Sequence, residues 1–359
     1  MTRATAKDVA RAVGVSVTTV SNAYWHPGRL GAALRTRILG VAERLGYTAD
    51  PTARGLRLRT TGAVGVLYSD ALPFAFSDRA FSEFLRGVTE TLEAEGRTLT
   101  LLSGGAPQAA GGDALRSAAV DGVIWYGPAR GDPRLRELPA RALPLVVVDG
   151  DAPAGVPAVA LDDEAGAAAA ADHLLGLGHR RLAVLAIGDG ALTPARVEPE
   201  SLCRSPFRVI RARALGYAAA ARRHGVTFSR LPAWLVPSRF ELARMVGREL
   251  LRDSTRPTAA LCMSDELALG VLAAARDVGV EVPEALSVVG FDDVAESGRS
   301  VPPLSTVAQD HARKGRTAAQ ALLEVLSGGA VPRASRLTAS LVIRGSTAPP
   351  RRARPTQRT

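Results

Sequence analysis

The chain opens with short stretches of helical periodicity and changes, near Thr61, to short apolar runs alternating with amphipathic ones. In the first part Val9, Ala10 and Val13 share one face of a helix that starts after Thr5 and stops at Gly14. Thr5 and Asp8, three residues apart, have the spacing of a capping box. Ser16 is a second N-cap signal, ahead of Val17-Thr-Thr-Val-Ser-Asn22. Residues 32–45 predict a third helix, with Leu34, Ile38, Ala42 and Leu45 at helical spacing. Two short helices across a tight glycine turn, closed by a third, match a helix-turn-helix unit. Its second helix lies in a DNA major groove, with its first turn aimed at base edges. A three-helix module of this size also suits protein docking, so the pattern alone leaves both readings open.

From Thr61 onward the candidate strands are 63–67, 98–102, 123–126, 145–148, 182–187, 259–263 and 287–291. Between them lie amphipathic stretches at 81–95, 165–177, 213–224 and 266–278. Such alternation predicts parallel sheet covered by helices, and about 290 residues of it suit two sheets better than one. Ligands of open α/β sheets bind beyond the carboxyl ends of the strands. Here those ends carry Ser69-Asp70, Trp125-Tyr126, Asp149, Ser264-Asp265 and Asp292-Asp293. Carboxylates, hydroxyls and aromatic faces together suit a small polyhydroxylated ligand. Plainer roles are open to each: Asp149 or Asp292 as a helix N-cap, Asp265 more readily so, and Trp125, Tyr126 and Trp234 as core. His179, beside Gly178, reads as a turn residue. The stretch from Gly188 to Pro206 contains prolines, lacks periodicity and reads as a loop near the pocket.

Composition narrows the class. At 359 residues with 47% apolar side chains, the chain exceeds one ordinary domain and can bury a sizeable core. Two cysteines, Cys203 and Cys262, exclude a disulfide scaffold and read as buried thiols in a reducing compartment. No apolar run approaches the ~18 residues of a membrane span, and polar residues rather than a signal peptide follow Met1, so the expected location is the cytoplasm. The formal net charge is +10. Its distribution says more than its size. The first 60 residues hold Lys7 and nine arginines against Asp8, Glu43 and Asp50, and the last twelve add four arginines, leaving the middle close to neutral. A basic head on a neutral body points to a polyanion-binding module joined to something else. General arginine abundance explains why Lys7 and Lys314 are the only lysines, but not where the arginines sit.

An enzyme is the reading from a different class. Gly188-Asp-Gly190 follows a strand, but Thr193 stands where a dinucleotide fingerprint needs its third glycine. There is no phosphate-loop lysine, no Gly-x-Ser-x-Gly elbow and no Cys/His cluster, and the five histidines lack metal-ligand spacing. No enzymatic activity, cofactor or metal is expected. After Gly46-Tyr47 comes Ala49-Asp-Pro-Thr-Ala-Arg-Gly-Leu-Arg57. A proline at a helix start followed by one or two turns is too short to persist alone, and Gly55 weakens it by about 1 kcal/mol more. Such a segment is expected to be helical only when something holds it.

The stretch Lys7-Asp-Val-Ala-Arg-Ala-Val-Gly-Val-Ser16, then Thr19-Val-Ser-Asn22, then Leu45-Gly-Tyr47, resembles the head signature of the lactose-repressor-like (LacI/GalR) family of bacterial transcription regulators. The resemblance extends to about residue 346, through Gly178-His-Arg-Arg-Leu182, Arg213-Ala-Leu-Gly-Tyr217, Ser264-Asp-Glu-Leu-Ala-Leu-Gly270, Ser287-Val-Val-Gly-Phe-Asp-Asp293 and Pro302-Pro-Leu-Ser-Thr-Val-Ala-Gln309. It implies a small all-α helix-turn-helix head joined to an α/β, periplasmic-binding-protein-like core of two doubly wound parallel-sheet subdomains. It also implies that Val17, Thr18 and Asn22 face bases, and that Leu56 is a hinge leucine wedged into the minor groove to kink the DNA. The candidate DNA contacts are Thr5, Ser16, Val17, Thr18, Thr19, Ser21, Asn22, Arg54 and Leu56. In the core, Ser69, Asp149, Arg213, Ser264 and Asp292 fall on effector-contacting positions. Phe74, with Phe76 beside it, falls in the loop at the pocket mouth. Two departures bear on DNA affinity: Gly31 replaces the usual Ser or Thr cap of the third helix, and Gly55 replaces a better helix former in the hinge.

The expected domains are 1–46 for the head, 47–60 for a hinge helix and linker, 61–346 for the core and 347–359 for a disordered basic tail. Within the core, one subdomain is expected from 61–160 with 291–320 and the other from 161–290 with 321–346. No helical tetramerisation segment is visible. The expected assembly is therefore a homodimer on a pseudo-palindromic double-stranded DNA operator, acting as a repressor. Its expected effector is a sugar or sugar derivative, ahead of a nucleobase or nucleoside. A DNA-binding regulator with a degenerate pocket, constitutive or controlled by a protein partner, fits the same sequence.

Overall fold

The computed structural model describes residues 4–48, 60–104, 115, 117–140, 142–188, 192–252, 255–329 and 334–351. The chain divides into two compact units, Met1–Thr61 and Gly62–Thr359. In the first, α1 (Ala6–Val13), α2 (Val17–Trp25) and α3 (Ala32–Arg44) enclose Val9, Val13, Val20, Ala23, Ile38 and Ala42. Asp8 accepts hydrogen bonds from the Thr5 amide at 2.9 Å and hydroxyl at 2.6 Å, which fastens the start of α1. That helix ends on Gly14, whose φ of 76° glycine adopts without steric cost. Ser16 caps α2 by accepting the Thr19 amide at 3.0 Å. Arg37 donates to the Val13 carbonyl at 2.9 Å and Arg35 to that of Ala23 at 3.0 Å, so two of the head's arginines satisfy helix ends. Gly31 caps α3 without a side-chain bond. Arg54, Gly55 and Leu56 lie outside the described residues.

The second unit begins with β1 (Ala63–Tyr68), α4 (Leu72–Ala75), α5 (Arg79–Ala94), β2 (Thr98–Ser103), β3 (Gly122–Tyr126), α6 (Arg134–Ala140), β4 (Leu145–Val148) and β5 (Ala158–Leu161). It continues with α7 (Asp163–Gly176), β6 (Leu182–Ile187), β7 (Ala195–Val197), α8 (Pro199–Leu202), α9 (Arg208–Arg223), β8 (Ala233–Val236), α10 (Phe240–Arg252), β9 (Ala259–Cys262), α11 (Asp265–Asp277) and β10 (Ser287–Asp292). Then come α12 (Ala295–Arg299), β11 (Ser305–Ala308), α13 (His311–Leu326), β12 (Ser335–Leu337) and β13 (Ser340–Val342). The first sheet runs β12-β5-β4-β3-β1-β2 and is parallel throughout. The second runs β13-β11-β10-β9-β6-β8-β7 and is parallel except for its edge strands β13 and β7. Central strands such as β4 and β9 are buried along their whole length, as a sheet covered on both faces requires.

The chain crosses between the sheets after β5, after β11 and after β12. This corrects the expected subdomain partition. Strand β11 pairs with β10 in the second sheet, whereas α13 packs on α5, β3 and β4, and β12 pairs with β5 in the first. A side chain on Gly87 of α5 would collide with the Ala312 carbonyl, and one on Gly315 of α13 with that of Phe84. These two glycines let α13 approach closely, and α13 carries two of the site residues described below.

Two further expectations are corrected. The stretch from Gly188 to Pro206, read as a loop, contains β7, which pairs antiparallel with β8, and the short helix α8. A three-residue strand and a single helical turn are too short to show a period. Residues 189–191 lie outside the described ones. The first residues of the expected disordered tail are docked: Thr347 Oγ1 lies 3.0 Å from His173 Nε2 and the Ala348 amide donates to Ser287 Oγ at 3.0 Å. They come just after the buried Ser346, which donates to the Val288 carbonyl at 2.6 Å and accepts the Ser305 amide at 2.8 Å. His179, read as a turn residue, is buried and ties this segment down, with ring nitrogens 2.9 Å from Thr258 Oγ1, 3.1 Å from Ser287 Oγ and 2.9 Å from the Ala348 carbonyl. Residues 352–359 of that tail lie outside the described residues. Among the described residues no helix is long and apolar enough to cross a membrane.

Candidate functional site

On α2, Val20 and Ala23 face the core of the head, leaving Val17 and Thr18 exposed and Ser21 and Asn22 half-buried. Val17 is 41% exposed at the first position of the helix. An apolar side chain there gains from contact with a thymine methyl or similar surface. Thr5 is exposed at the start of α1. Ser16 Oγ and Thr19 Oγ1 lie 2.8 Å apart, so those two hydroxyls are partly committed to the cap.

In the second unit the strand ends of the two sheets meet in one polar cluster. From the first sheet's side, Asp149 follows β4, and His311 and Lys314 occupy the first turn of α13. From the second, Asp292 ends β10, Asp163 begins α7 and Arg213 projects from α9. Lys314 Nζ donates to Asp149 Oδ2 at 2.6 Å and to Gln309 Oε1 at 2.7 Å. Gln309 in turn donates its amide to Asp292 Oδ1 at 2.6 Å, which joins the two sides. Arg213 donates to Asp163 Oδ1 at 3.0 Å and to the Met263 carbonyl, and stands 4.0 Å from Asp292. Its guanidinium covers the Phe291 ring at 3.5 Å. Arg208 adds a contact to Asp163 at 3.2 Å.

Burial sets the electrostatics. It pushes the Asp292 carboxyl up to about 8, against the pull of Arg213. Burial, with Lys314 and Arg213 nearby, holds His311 well below the usual imidazole range, so the ring is neutral. Burial also opposes the charge on Arg213, but the Asp163 and Asp292 carboxylates more than offset it and raise its affinity for the proton.

Backbone strain collects in the same place. Among the described residues the non-glycine positions with positive φ are Ala142, Asp149 (53°), Asp292 (130°) and Asp293 (61°), three of them at these strand ends. Each such conformation costs about 1–3 kcal/mol and persists where function or packing over-determines it. Unmet hydrogen bonding collects there too. Among the described residues, the buried side-chain polar atoms without a hydrogen-bond partner are Asp149 Oδ1 and both ring nitrogens of His311, whose Nε2 stands 3.8 Å from Asp292 Oδ1. Leaving such a group unpaired costs about 1–3 kcal/mol.

The rim of the cleft is held by charge. Arg79 pairs with Glu266 and Glu296 at 2.7 Å each, and Asp151 takes Arg211 at 2.7 Å and Arg130 at 2.9 Å. Arg239 covers the Phe74 ring at 3.9 Å. A groove of about 530 Å³ lined by Phe76, Arg79, Asp293, Gln309 and His311 opens at this rim.

Of the sequence-predicted effector residues, the structure brings Asp149, Arg213 and Asp292 into the cluster. Ser69 donates to the Tyr126 carbonyl at 2.7 Å and accepts the Trp125 indole N–H at 2.9 Å, so its hydroxyl is occupied from within. Ser264 caps α11, accepting the Leu267 amide at 3.3 Å. That corrects the reading of Asp265 as the cap. Asp265 is buried and accepts the Val294 amide at 3.0 Å, the Ser297 hydroxyl at 2.6 Å and the Thr306 hydroxyl at 2.5 Å, which fastens α11 to β11 and to the start of α12. Neither Asp149 nor Asp292 caps a helix; Asp78, Asp162 and Asp310 do. Trp125 is core, Tyr126 and Trp234 are half-buried, Phe74 is half-buried under Arg239, and Phe76 is exposed. Sequence reading missed Asp163, Gln309, His311 and Lys314. One signal was available: Lys314 is the sole lysine outside the head, on a helix otherwise rich in alanine and leucine.

Residues 5–50 match the model described as bacterial regulatory proteins, lacI family, and residues 171–347 match a periplasmic binding protein-like domain. The HTH-type transcriptional regulator Rv3575c of Mycobacterium tuberculosis is 39% identical over 357 residues, 97% of this chain and 98% of its own. A solved LacI-family transcriptional regulator from Corynebacterium glutamicum is 33% identical with a TM-score of 0.73, covering 97% of this chain and 100% of that one. The complex of the transcriptional regulator CelR with cellobiose is 26% identical with a TM-score of 0.68, covering 96% of this chain and 100% of that one.

Proposed function

This chain belongs to the lacI family of bacterial regulatory proteins and is a DNA-binding transcription regulator rather than an enzyme; from that premise we propose a ligand-responsive repressor that binds a pseudo-palindromic operator as a homodimer. One observation carries the ligand-responsive part: the buried polar atoms left unpaired among the described residues are Asp149 Oδ1 and the His311 nitrogens, all at the cleft. Unpaired polar atoms gathered beside Arg213, Asp292 and Lys314 support a reading in which the hydroxyls of a small ligand pair with them. Asp149, Arg213 and Asp292 contact the effector, with Phe74 at the mouth and Ser69 and Ser264 shaping the walls. A sugar or sugar derivative is the favoured class, supported by the cellobiose complex of the related regulator, with a nucleobase or nucleoside second.

In the head, Val17, Thr18 and Asn22 read base edges, and Thr5, Ser16, Thr19 and Ser21 support them with hydroxyl contacts to phosphate or base. Of the two residues outside the described ones, Leu56 acts at the minor groove and Arg54 is a further DNA contact. A second reading, a regulator with a degenerate pocket, draws on the internal bonds that already occupy Ser69, Ser264 and one oxygen of Asp149.

Selection of binding sites from a random duplex library by the full chain tests the DNA part. An inverted repeat is expected, with affinity falling steeply as salt rises because phosphate neutralisation releases counterions. Asn22→Ala is expected to cost about tenfold to a hundredfold at one position of each half-site. Selected sites without two-fold symmetry, or a flat salt dependence, would contradict the proposal.

A further inference from the structure

Lys314 makes this cleft different from a plain carboxylate site. Its side chain is 1% exposed and its ammonium lies against Asp149, itself 5% exposed. Two of its three N–H donors go to Asp149 Oδ2 and Gln309 Oε1. Asp149 keeps Oδ1 unpaired, and His311, one turn earlier on α13, keeps both ring nitrogens unpaired. A buried carboxylate alone would accept any donor, and a ligand ammonium most strongly.

Lys314 pairs the charge of Asp149 without removing it, and what remains is a bare acceptor oxygen next to a cationic donor. A hydroxyl both donates and accepts, so it satisfies both at once. A phosphate or carboxylate only accepts, so it leaves Asp149 Oδ1 without a donor and sets a second negative charge beside it, while the nearby Arg213 already has its charge paired by Asp163. An ammonium only donates, and would bring its charge against Lys314. The neutral ring of His311 repeats the pattern, with one donor nitrogen and one acceptor nitrogen.

We propose that Lys314 is a specificity-determining residue that restricts the effector to uncharged polyhydroxylated compounds and excludes their phosphorylated, acidic and amino-substituted forms. The inference rests on the reading of the cleft as the effector site and deepens it, by assigning a residue that selects against ligand charge.

The test is a thermal-shift titration of the full chain with matched sets of compounds. Neutral pentoses, hexoses, disaccharides and polyols are each compared with their phosphate, acid and amino derivatives. A neutral member is expected to stabilise the protein, with each charged counterpart weaker by on the order of tenfold or more. A charged counterpart that binds as tightly as its neutral parent overturns the role of Lys314 while leaving the cleft as the effector site. Stabilisation by no member overturns both. In Lys314→Met the preference for the neutral parent over its amino derivative is expected to shrink by about tenfold, because the ligand ammonium then takes the place of the lost one. A lysine with only a structural role would lower the melting temperature of the free protein and leave that ratio unchanged, and an unchanged ratio overturns the proposal. Lys314→Gln, which keeps a donor without the charge, is expected to shift the ratio in the same direction and serves if the methionine variant does not fold.

Discussion

Replacing Asp163 with alanine is expected to destabilise the second unit by about 3–5 kcal/mol, the usual cost of stranding a buried charge. Asp163 is 1% exposed and accepts from both Arg213 and Arg208. Once it is removed, Arg213 keeps the Met263 carbonyl, the face of the Phe291 ring and a carboxylate 4.0 Å away, beyond hydrogen-bond reach. That remaining carboxylate is Asp292, which burial already drives towards its neutral form. The Arg213 guanidinium would be left buried with little to offset its charge. Urea denaturation reads the loss directly, as a lower midpoint with an unchanged slope. Asp163→Asn, which keeps the acceptor and the volume, is expected to lose less. An alanine variant as stable as the parent would show that Arg213 is not anchored through Asp163, and the cleft would need a different geometry.

Stability is also expected to fall as pH rises across the window set by Asp292. Its folded-state value is about 8, whereas an unfolded aspartate titrates near 3.9, at about the ordinary carboxylate value. Between those limits the folded protein holds a proton that the unfolded chain has released. The contribution is fully present below the unfolded value and is lost towards the folded one, at up to about 1.4 kcal/mol per pH unit. Asp265, likewise raised by burial, adds to the same slope. His311 acts in the opposite sense. Its folded value lies below the unfolded one, so its contribution is lost as pH falls below the ordinary imidazole range. Asp292→Asn is expected to flatten the fall between about pH 5 and 8 and to be more stable than the parent at the upper end. Denaturation at several pH values checks this. Parallel profiles for parent and variant would mean that Asp292 is ionised throughout and held by Arg213.

The head was largely legible in the sequence because its signals are local. Thr5 with Asp8, Gly14 and Ser16 specify the ends of α1 and α2 within three or four residues. The interior strands were legible because strands covered on both faces are continuous apolar runs. The four-residue strands β5, β8 and β11, and the three-residue edge strands, carry too little pattern to separate from their surroundings.

At the cleft, Asp149 and Asp292 were legible as residues at strand ends. Lys314, His311 and Gln309 were not, because they enter the site only after the chain has crossed back to the first sheet. Lys314 meets Asp149 across 165 residues of sequence, and Asp163 meets Arg213 across 50. Nothing local marks such pairs. The same crossing, after β11, explains why the subdomain boundary at 291–320 was misplaced.

The central claim, that a ligand in the cleft governs binding of the head to DNA, is tested most directly by titrating a fluorescent selected operator with the full chain, with and without a saturating stabilising ligand. The ligand is expected to change operator affinity by about 5- to 150-fold, and saturating operator is expected to change the ligand's affinity by the same factor. A ligand that binds tightly and leaves operator affinity unchanged would contradict the claim, and would leave the second unit as a scaffold that only pairs two heads.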